Sequence, residues 1–233
     1  AQQLMVPIDV NINEVNQKEN RTESYLPIYV ALFLLYLLIM NFGATVGTSI
    51  AVEKGSRIKE VLITKVKPIY LLSGKMFGIG LAGLIQFGTI VLFMFIMIKL
   101  KSEGSAEIFG MSFDLSVLSG STLIYILLFF ILGYILYSAL YAAIGALVSR
   151  AEEINQATIP VSLLMLAGFV IAYSSIVYPD SQVVQILSYI PFFTPFIMIT
   201  RIGMSDLTTI EILLPTVTLL LSIILLYSGS ESI

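Results

Sequence analysis

Apolar positions along the chain fall into five long runs separated by short polar stretches. Charge-free runs of about twenty residues, the length needed to cross a hydrocarbon core of about 30 Å, occur at 25–52, 76–98, 123–148, 159–177 and 212–227. The first is strongly apolar over 25–40 and weaker over 41–52. Between the fourth and fifth lies 183–204, apolar but broken by Pro191 and Pro195. This pattern predicts a helix–break–helix that enters the membrane interface from outside without crossing, because non-helical backbone at that depth must be satisfied by protein or water. The expected fold is an all-α polytopic membrane protein. Its transmembrane domain covers 25–228, after a polar stretch 1–24 and before a tail 229–233.

The polar segment 53–68 is the most informative. Over 56–65 it reads as a short amphipathic helix, with Ile58, Val61 and Leu62 on one face and Ser56, Lys59 and Glu60 on others. Glu53 and Arg57 stand four apart, a spacing at which charges can pair, and Pro68 stops the helix. Such a helix at the base of two spans suits either docking of a soluble partner or anchoring on anionic lipid.

Composition agrees with the membrane reading. Hydrophobic residues are 58% of the 233 and charged residues 12%, against about a quarter charged in soluble domains. Twelve Lys and Arg against fifteen Asp and Glu argue against a nucleic-acid partner. The absence of His and Cys removes imidazole and thiolate catalysis and their zinc sites. Six of the twelve basic residues (Lys54, Arg57, Lys59, Lys65, Lys67 and Lys75) crowd into one loop, and Arg150 lies on the same side. The positive-inside rule then places 53–75 and 149–159 in the cytoplasm and 1–24 outside. With no signal peptide before that external stretch, the expectation is that a first span and most of an external domain precede Ala1, and that the chain continues beyond Ile233.

Three blocks carry a family resemblance. They are Glu53-Lys-Gly-Ser-Arg-Ile-Lys-Glu-Val-Leu62 with Pro68 and Leu72-Ser-Gly-Lys75, then Gly145-Ala-Leu-Val-Ser-Arg-Ala-Glu-Glu-Ile-Asn-Gln-Ala157 with Pro160, then Ile190-Pro-Phe-Phe-Thr-Pro195 with Arg201. In order, spacing and side they resemble the type-2 ABC transporter permeases, with the sodium-efflux (NatB-like) branch the nearest. The resemblance implies a six-span permease of which five spans are present. Its coupling helix would run through Glu53, Lys54, Gly55, Arg57, Ile58, Glu60, Val61 and Leu62 and contact a separate nucleotide-binding ATPase subunit. Glu152, Glu153 and Gln156 would be a second ATPase contact, the alternative being acids that complement a helix N-terminus. It further implies a second permease copy or paralogue, a location in a prokaryotic plasma membrane, and no cofactor on this chain, with ATP and Mg²⁺ held by the ATPase. Consistently, the sequence holds no Gly-x-x-x-x-Gly-Lys-Ser/Thr phosphate loop.

Pathway candidates are neutral. Asn41, Thr45, Gln86, Ser138 and Tyr141 lead, with Thr48, Ser49, Tyr134, Tyr137, Ser162 and Tyr173 behind them. Each has a packing alternative: an interhelical hydrogen bond for Gln86, a Gly43-x-x-x-Gly47 contact face, and a small-residue ridge Ser138-x-x-x-Ala142-x-x-x-Ala146. Pro191 and Pro195 are the external-gate candidates. Lys75 and Glu211 sit at span ends, where they would snorkel to water. The substrate reading is sodium. The lack of carboxylates in the spans weakens sodium specificity, and a hydrophobic antibiotic, peptide or lipid fits the neutral aromatic spans equally well. A non-transporting ABC accessory or sensor subunit also fits. An intramembrane enzyme would have only Ser73 and Lys75 for a dyad, too close in sequence to serve.

Overall fold

A computed structural model describes residues 12–55, 68–100, 105–108, 111–114, 120–148 and 150–230. Helix α1 (Ile12–Gly55) is followed by α2 (Pro68–Leu100) and by a two-stranded antiparallel hairpin, β1 (Ser105–Ile108) with β2 (Met111–Asp114). Then come α3 (Gly120–Leu147), a 3₁₀ turn (Ala151–Glu153), α4 (Ile154–Ala157) and α5 (Ile159–Ser174). A second 3₁₀ turn (Ser175–Val177), α6 (Gln182–Ser188), α7 (Thr194–Met204) and α8 (Thr209–Ser230) complete the order. Among the described residues, five helical stretches are long and apolar enough to cross a membrane: Leu26–Gly55, Tyr70–Phe93, Gly120–Leu147, Ile159–Val177 and Thr209–Ser228. The spanning part is therefore all-helical, and the hairpin joins the second span to the third.

Local chemistry sets the boundaries. Pro68 opens α2, where a missing N–H costs nothing and the fixed φ suits the first turn. The sequence put the start of this span near Met76, but the helix begins eight residues earlier, at that proline. Pro160 and Pro195 likewise occupy the first turns of α5 and α7. The Ser181 side chain caps α6 by accepting from the Val184 N–H at 3.4 Å.

Helix α3 is the hub. Phe129, Phe130, Leu136, Tyr137, Ser138 and Tyr141 are all but fully buried, and α1, α7 and α8 pack around it. Its tyrosines reach three different neighbours. Tyr134 Oη donates to the Met76 carbonyl of α2 at 2.8 Å, Tyr137 Oη to the Phe192 carbonyl ahead of α7 at 2.6 Å, and Tyr141 Oη pairs with Ser162 Oγ of α5 at 2.9 Å. All three rings are buried, while the hydroxyls spread to separate elements. Helix α7 is buried from Thr194 through Arg201, wedged among α1, α3 and α5. Helices α2 and α8 are peripheral, with Phe77, Leu81, Ile224 and Leu225 facing outward.

Candidate functional site

Three constellations carry the chemistry: one at the basic-loop end of the bundle, one in its middle and one at the far end. At the basic-loop end, Ala51 of α1, Val148 and Ile154 form a small core with Ile144 and Ala157. Burial of these apolar groups seats the 3₁₀ turn and α4 against the last turns of α1. Glu152, Glu153 and Gln156 are left exposed beside the exposed Lys54 and Gly55. Lys75 Nζ lies 2.5 Å from Glu53 Oε2 and also donates to the Ser49 carbonyl at 3.1 Å. Lys54 Nζ donates to the Ala146 carbonyl of α3 at 2.6 Å. Lys75 thus does not snorkel to water: its side chain is 15% exposed and turns back onto α1, where Glu53 and the Ser49 carbonyl hold it. Of the coupling residues, Glu53, Lys54 and Gly55 end α1, while Arg57, Ile58, Glu60, Val61 and Leu62 lie outside the described residues.

From the basic-loop end to the middle, α1 and α3 meet at backbone contact. A Cβ on Gly145 would stand 2.3 Å from the Gly47 carbonyl oxygen, and one on Gly47 would stand 2.7 Å from the Tyr141 carbonyl oxygen. Gly43 faces the Tyr141 ring at 3.0 Å in the same sense. The Gly43-x-x-x-Gly47 face is therefore a packing face, as small residues in apolar surroundings permit. The ridge on α3 differs from the expected one: Ser138 and Ala142 are buried, but Ala146 is exposed and Gly145 makes the contact. One residue of helix turns the side chain by about 100°, which moves the close approach from Ala146 to its neighbour.

The pathway candidates divide into two sets that the structure does not join. Ser138 and Tyr141 are fully buried inside the subunit, with Ser138 Oγ donating to the Ile135 carbonyl at 3.1 Å. Asn41, Thr45 and Thr48 lie exposed on the opposite side of α1, in line with Phe33, Leu37 and Val52, and Gln86 is exposed on α2. Thr45 and Thr48 hydroxyls are satisfied by the carbonyls of Asn41 and Ala44, at 2.8 and 2.9 Å. The Asn41 and Gln86 amides have no side-chain hydrogen-bond partner among the described residues.

At the far end sits a buried charge that sequence reasoning missed. Only 1% of the Arg201 side chain is exposed. Its Nη2 lies 3.4 Å from Glu211 Oε1 and 3.9 Å from Asp180 Oδ1, and Nη1 donates to Ser188 Oγ at 3.3 Å. Glu211 Oε2 accepts from the Thr208 N–H at 2.9 Å and hydroxyl at 2.7 Å, so the carboxylate is held from both sides. Arg201 Nε and Ser205 Oγ are buried without a partner among the described residues. One guanidinium therefore ties together α6, α7, α8 and the loop after α5. A lone arginine in the apolar run after Pro195, with an acid ten residues on, was the available signal. Of the two gate prolines, Pro191 is half-buried and Pro195 is buried. A Cβ on Gly133 would stand 2.8 Å from Pro195 Cβ, so the start of α7 is seated directly on α3.

The ABC-2 family transporter protein profile matches residues 1–229. The chain belongs to this family. It is a multi-pass membrane protein, and as an ABC-2 chain it matches its family through all five spans. It is 37% identical over 182 residues to the uncharacterized protein YhaP of Bacillus subtilis (strain 168), covering 77% of this chain and 43% of that one. It is 29% identical over 226 residues to the uncharacterized protein MJ1024 of Methanocaldococcus jannaschii, covering 94% of this chain and 52% of that one. The chain thus spans about half the length of these relatives. No solved structure gives a significant match.

Proposed function

We propose that this ABC-2 chain is the membrane permease part of an ATP-driven exporter, coupled to a separate ATPase subunit that binds ATP and Mg²⁺. The observation that carries the reading is the platform at the basic-loop end. The Ala51–Val148–Ile154 core fixes the end of α1, where the coupling segment begins, against the turn bearing Glu152, Glu153 and Gln156. Two stretches from different spans then move as one body, which is what transmitting a partner's closure into the membrane requires. The basic loop supports a cytoplasmic location for this end, and the bacterial and archaeal relatives support a prokaryotic cell.

Two copies, or a copy and a paralogue, would meet across the exposed α1 face. An unpaired Asn41 amide at membrane depth is costly against lipid and is relieved by a partner or a water-filled path. Asn41, Thr45 and Gln86 are then the pathway residues, Ser138 and Tyr141 stiffen its wall, and the Pro191–Pro195 break closes its outer end. The substrate is sodium on the nearest family resemblance. An exported hydrophobic antibiotic, peptide or lipid is the alternative, supported by neutral, aromatic spans and by the lack of any group of three or more acidic, His or Cys residues among the described residues.

The test is purification of the full-length protein from its own membrane, with mass spectrometry of what accompanies it. A stoichiometric subunit carrying a phosphate loop is expected, lost when Glu152 and Glu153 are both changed to Lys and Ile154 is left intact. Folded protein that never brings such a subunit overturns the reading. An ATPase retained without transport of any substrate favours the sensor alternative.

A further inference from the structure

Glu211 stands between two breaks in the helical backbone. Helix α7 ends at Met204 and α8 starts at Thr209, with Ser205 extended at φ −136° and ψ 152°. Pro215 lies inside α8. It has no N–H to give to the carbonyl of Glu211, four residues back, and its ring pushes that carbonyl away. The stretch 205–214 is therefore joined to the bundle by a non-helical link on one side and a proline break on the other, both places where a chain bends. Ile210, Leu213 and Leu214 on it are exposed, while Leu207 and Ile212 pack half-buried against the core. Facing lipid instead of protein costs those two little, because lipid tails are as apolar as the core.

Among the described residues, the side-chain polar tie from this stretch to the rest of the bundle is Glu211 Oε1 to Arg201 Nη2, at 3.4 Å. Asp180 Oδ1 lies 3.9 Å from the same nitrogen. Both distances exceed the about 2.7–2.9 Å of a close guanidinium–carboxylate bond, so two acids share one nitrogen and neither holds it fully. The acids belong to different bodies. Asp180 goes with Arg201: its carbonyl accepts from Gln185 Nε2 of α6 at 2.9 Å, and Thr194 Oγ1 of α7 donates to the Ser188 carbonyl of α6 at 2.8 Å. Glu211 goes with α8, where its Oε2 accepts from the Thr208 N–H and hydroxyl in the capping box Thr208-Thr-Ile-Glu211. When the pair parts, Arg201 keeps Ser188 and closes on Asp180, while Glu211 keeps Thr208 and takes water at Oε1. Neither charge is stranded, and stranding is what makes breaking a buried pair costly.

We infer that 205–214 is a flap at the far end of the bundle, held down by the Arg201–Glu211 pair and hinged at Pro215, and that Arg201 passes to Asp180 when the flap lifts. The flap is a two-state element, and the two acids stabilise opposite states: Glu211 the closed one, Asp180 the lifted one. Naming it part of an outer gate rests on the permease reading; the flap itself does not.

The test is thiol labelling of the full-length protein in detergent, with the labelled residue identified by peptide mapping. Residues 1–233 contain no Cys, and Ser205 Oγ is buried, so Ser205→Cys reports lifting through its rate of reaction with a small maleimide. When opening and reclosing are fast, that rate follows the lifted population. Adding Glu211→Gln should raise it about tenfold. Adding Asp180→Asn should lower it about threefold, because the lifted state loses the acid that receives Arg201. Pro215→Ala should lower it as well, since the restored N–H binds the Glu211 carbonyl and stiffens the hinge. Ser138→Cys, buried in α3, should stay unlabelled in every variant. Faster labelling after both acid substitutions makes the acids plain structural partners and overturns the exchange. So does an unchanged rate in Asp180→Asn, and labelling at Ser138→Cys replaces the flap with general loosening. A rate that Pro215→Ala does not lower overturns the hinge. If Glu211→Gln does not fold, the slowing expected of Asp180→Asn and Pro215→Ala still decides. The labelling needs neither ATPase nor substrate, so its failure leaves the permease reading standing and failure of that reading leaves the flap.

Discussion

The two ends of this bundle are fastened by opposite means. At the basic-loop end the ion pair Glu53–Lys75 is partly exposed, 35% and 15%, and lies outside a seam where Gly47 and Gly145 bring two backbones together. At the far end the charge is inside: Arg201 is 1% exposed and four elements converge on it. In the first case packing does the fastening and the salt bridge is peripheral. In the second, a desolvated guanidinium must keep its partners or be left as an uncompensated buried charge. On the proposed function, the first end would be the surface that engages a partner and the second the closed outer gate.

The comparison breaks first at the seam. Gly145→Ala should destabilise the protein by about 3 kcal/mol in thermal unfolding in detergent, because the new Cβ meets the Gly47 carbonyl rather than a side chain that can yield. The same change at Gly55, which has open space around it, should stay within about 0.5 kcal/mol. If both behave alike, backbone contact is not what holds this end.

Next comes an asymmetry at the far end. Arg201→Met should cost about 2 kcal/mol, since Met fills the space and the acids left behind, 36% and 60% exposed, are hydrated. Glu211→Gln should cost more, because the buried guanidinium loses its nearer carboxylate with Nε already unpartnered. The reverse order in the same unfolding assay would mean that the carboxylates, not the guanidinium, carry the desolvation. Tyr137→Phe follows at about 1–2 kcal/mol, as it leaves the Phe192 carbonyl without its donor. Limited proteolysis at 189–193 should rise with it. Tyr141→Phe should cost less, since the Ser162 hydroxyl can turn back to the Thr158 carbonyl within its own helix.

The smallest effect is expected where function is proposed. Lys75→Gln should change stability by less than about 1 kcal/mol, and the difference should shrink further at high salt. Its consequence should appear in ATPase coupling instead. A large, salt-insensitive loss of stability would make this pair structural and erase the contrast between the ends.

What was legible in the sequence follows from how each feature is encoded. Pro195 in an apolar run announced the break before α7, and Gly43 with Gly47 announced a contact face, because proline and glycine act on their own backbone. Glu152, Glu153 and Gln156 were visible as a polar turn between two apolar runs. The burial of Arg201 was not legible because its neighbours in sequence say nothing of it: Ser188, Asp180 and Glu211 come from three other segments. Ala146 was preferred to Gly145 because a helix face is known only to within one residue until its partner helix is in place.

The sequence by itself determined that this is a membrane protein of five apolar helices with a basic side, since spanning length and charge asymmetry are properties of continuous segments and need no partner. The tertiary structure alone decided which polar groups are inside. Ser138 and Tyr141 turned inward while Asn41 and Thr45, on the other face of the neighbouring helix, turned outward. In an apolar medium every face of these helices is alike in hydrophobicity, so hydrophobic periodicity carries no rotational information. The orientation of each helix is set by where glycines allow backbones to touch and where buried polar atoms find partners, and both depend on residues distant in the chain.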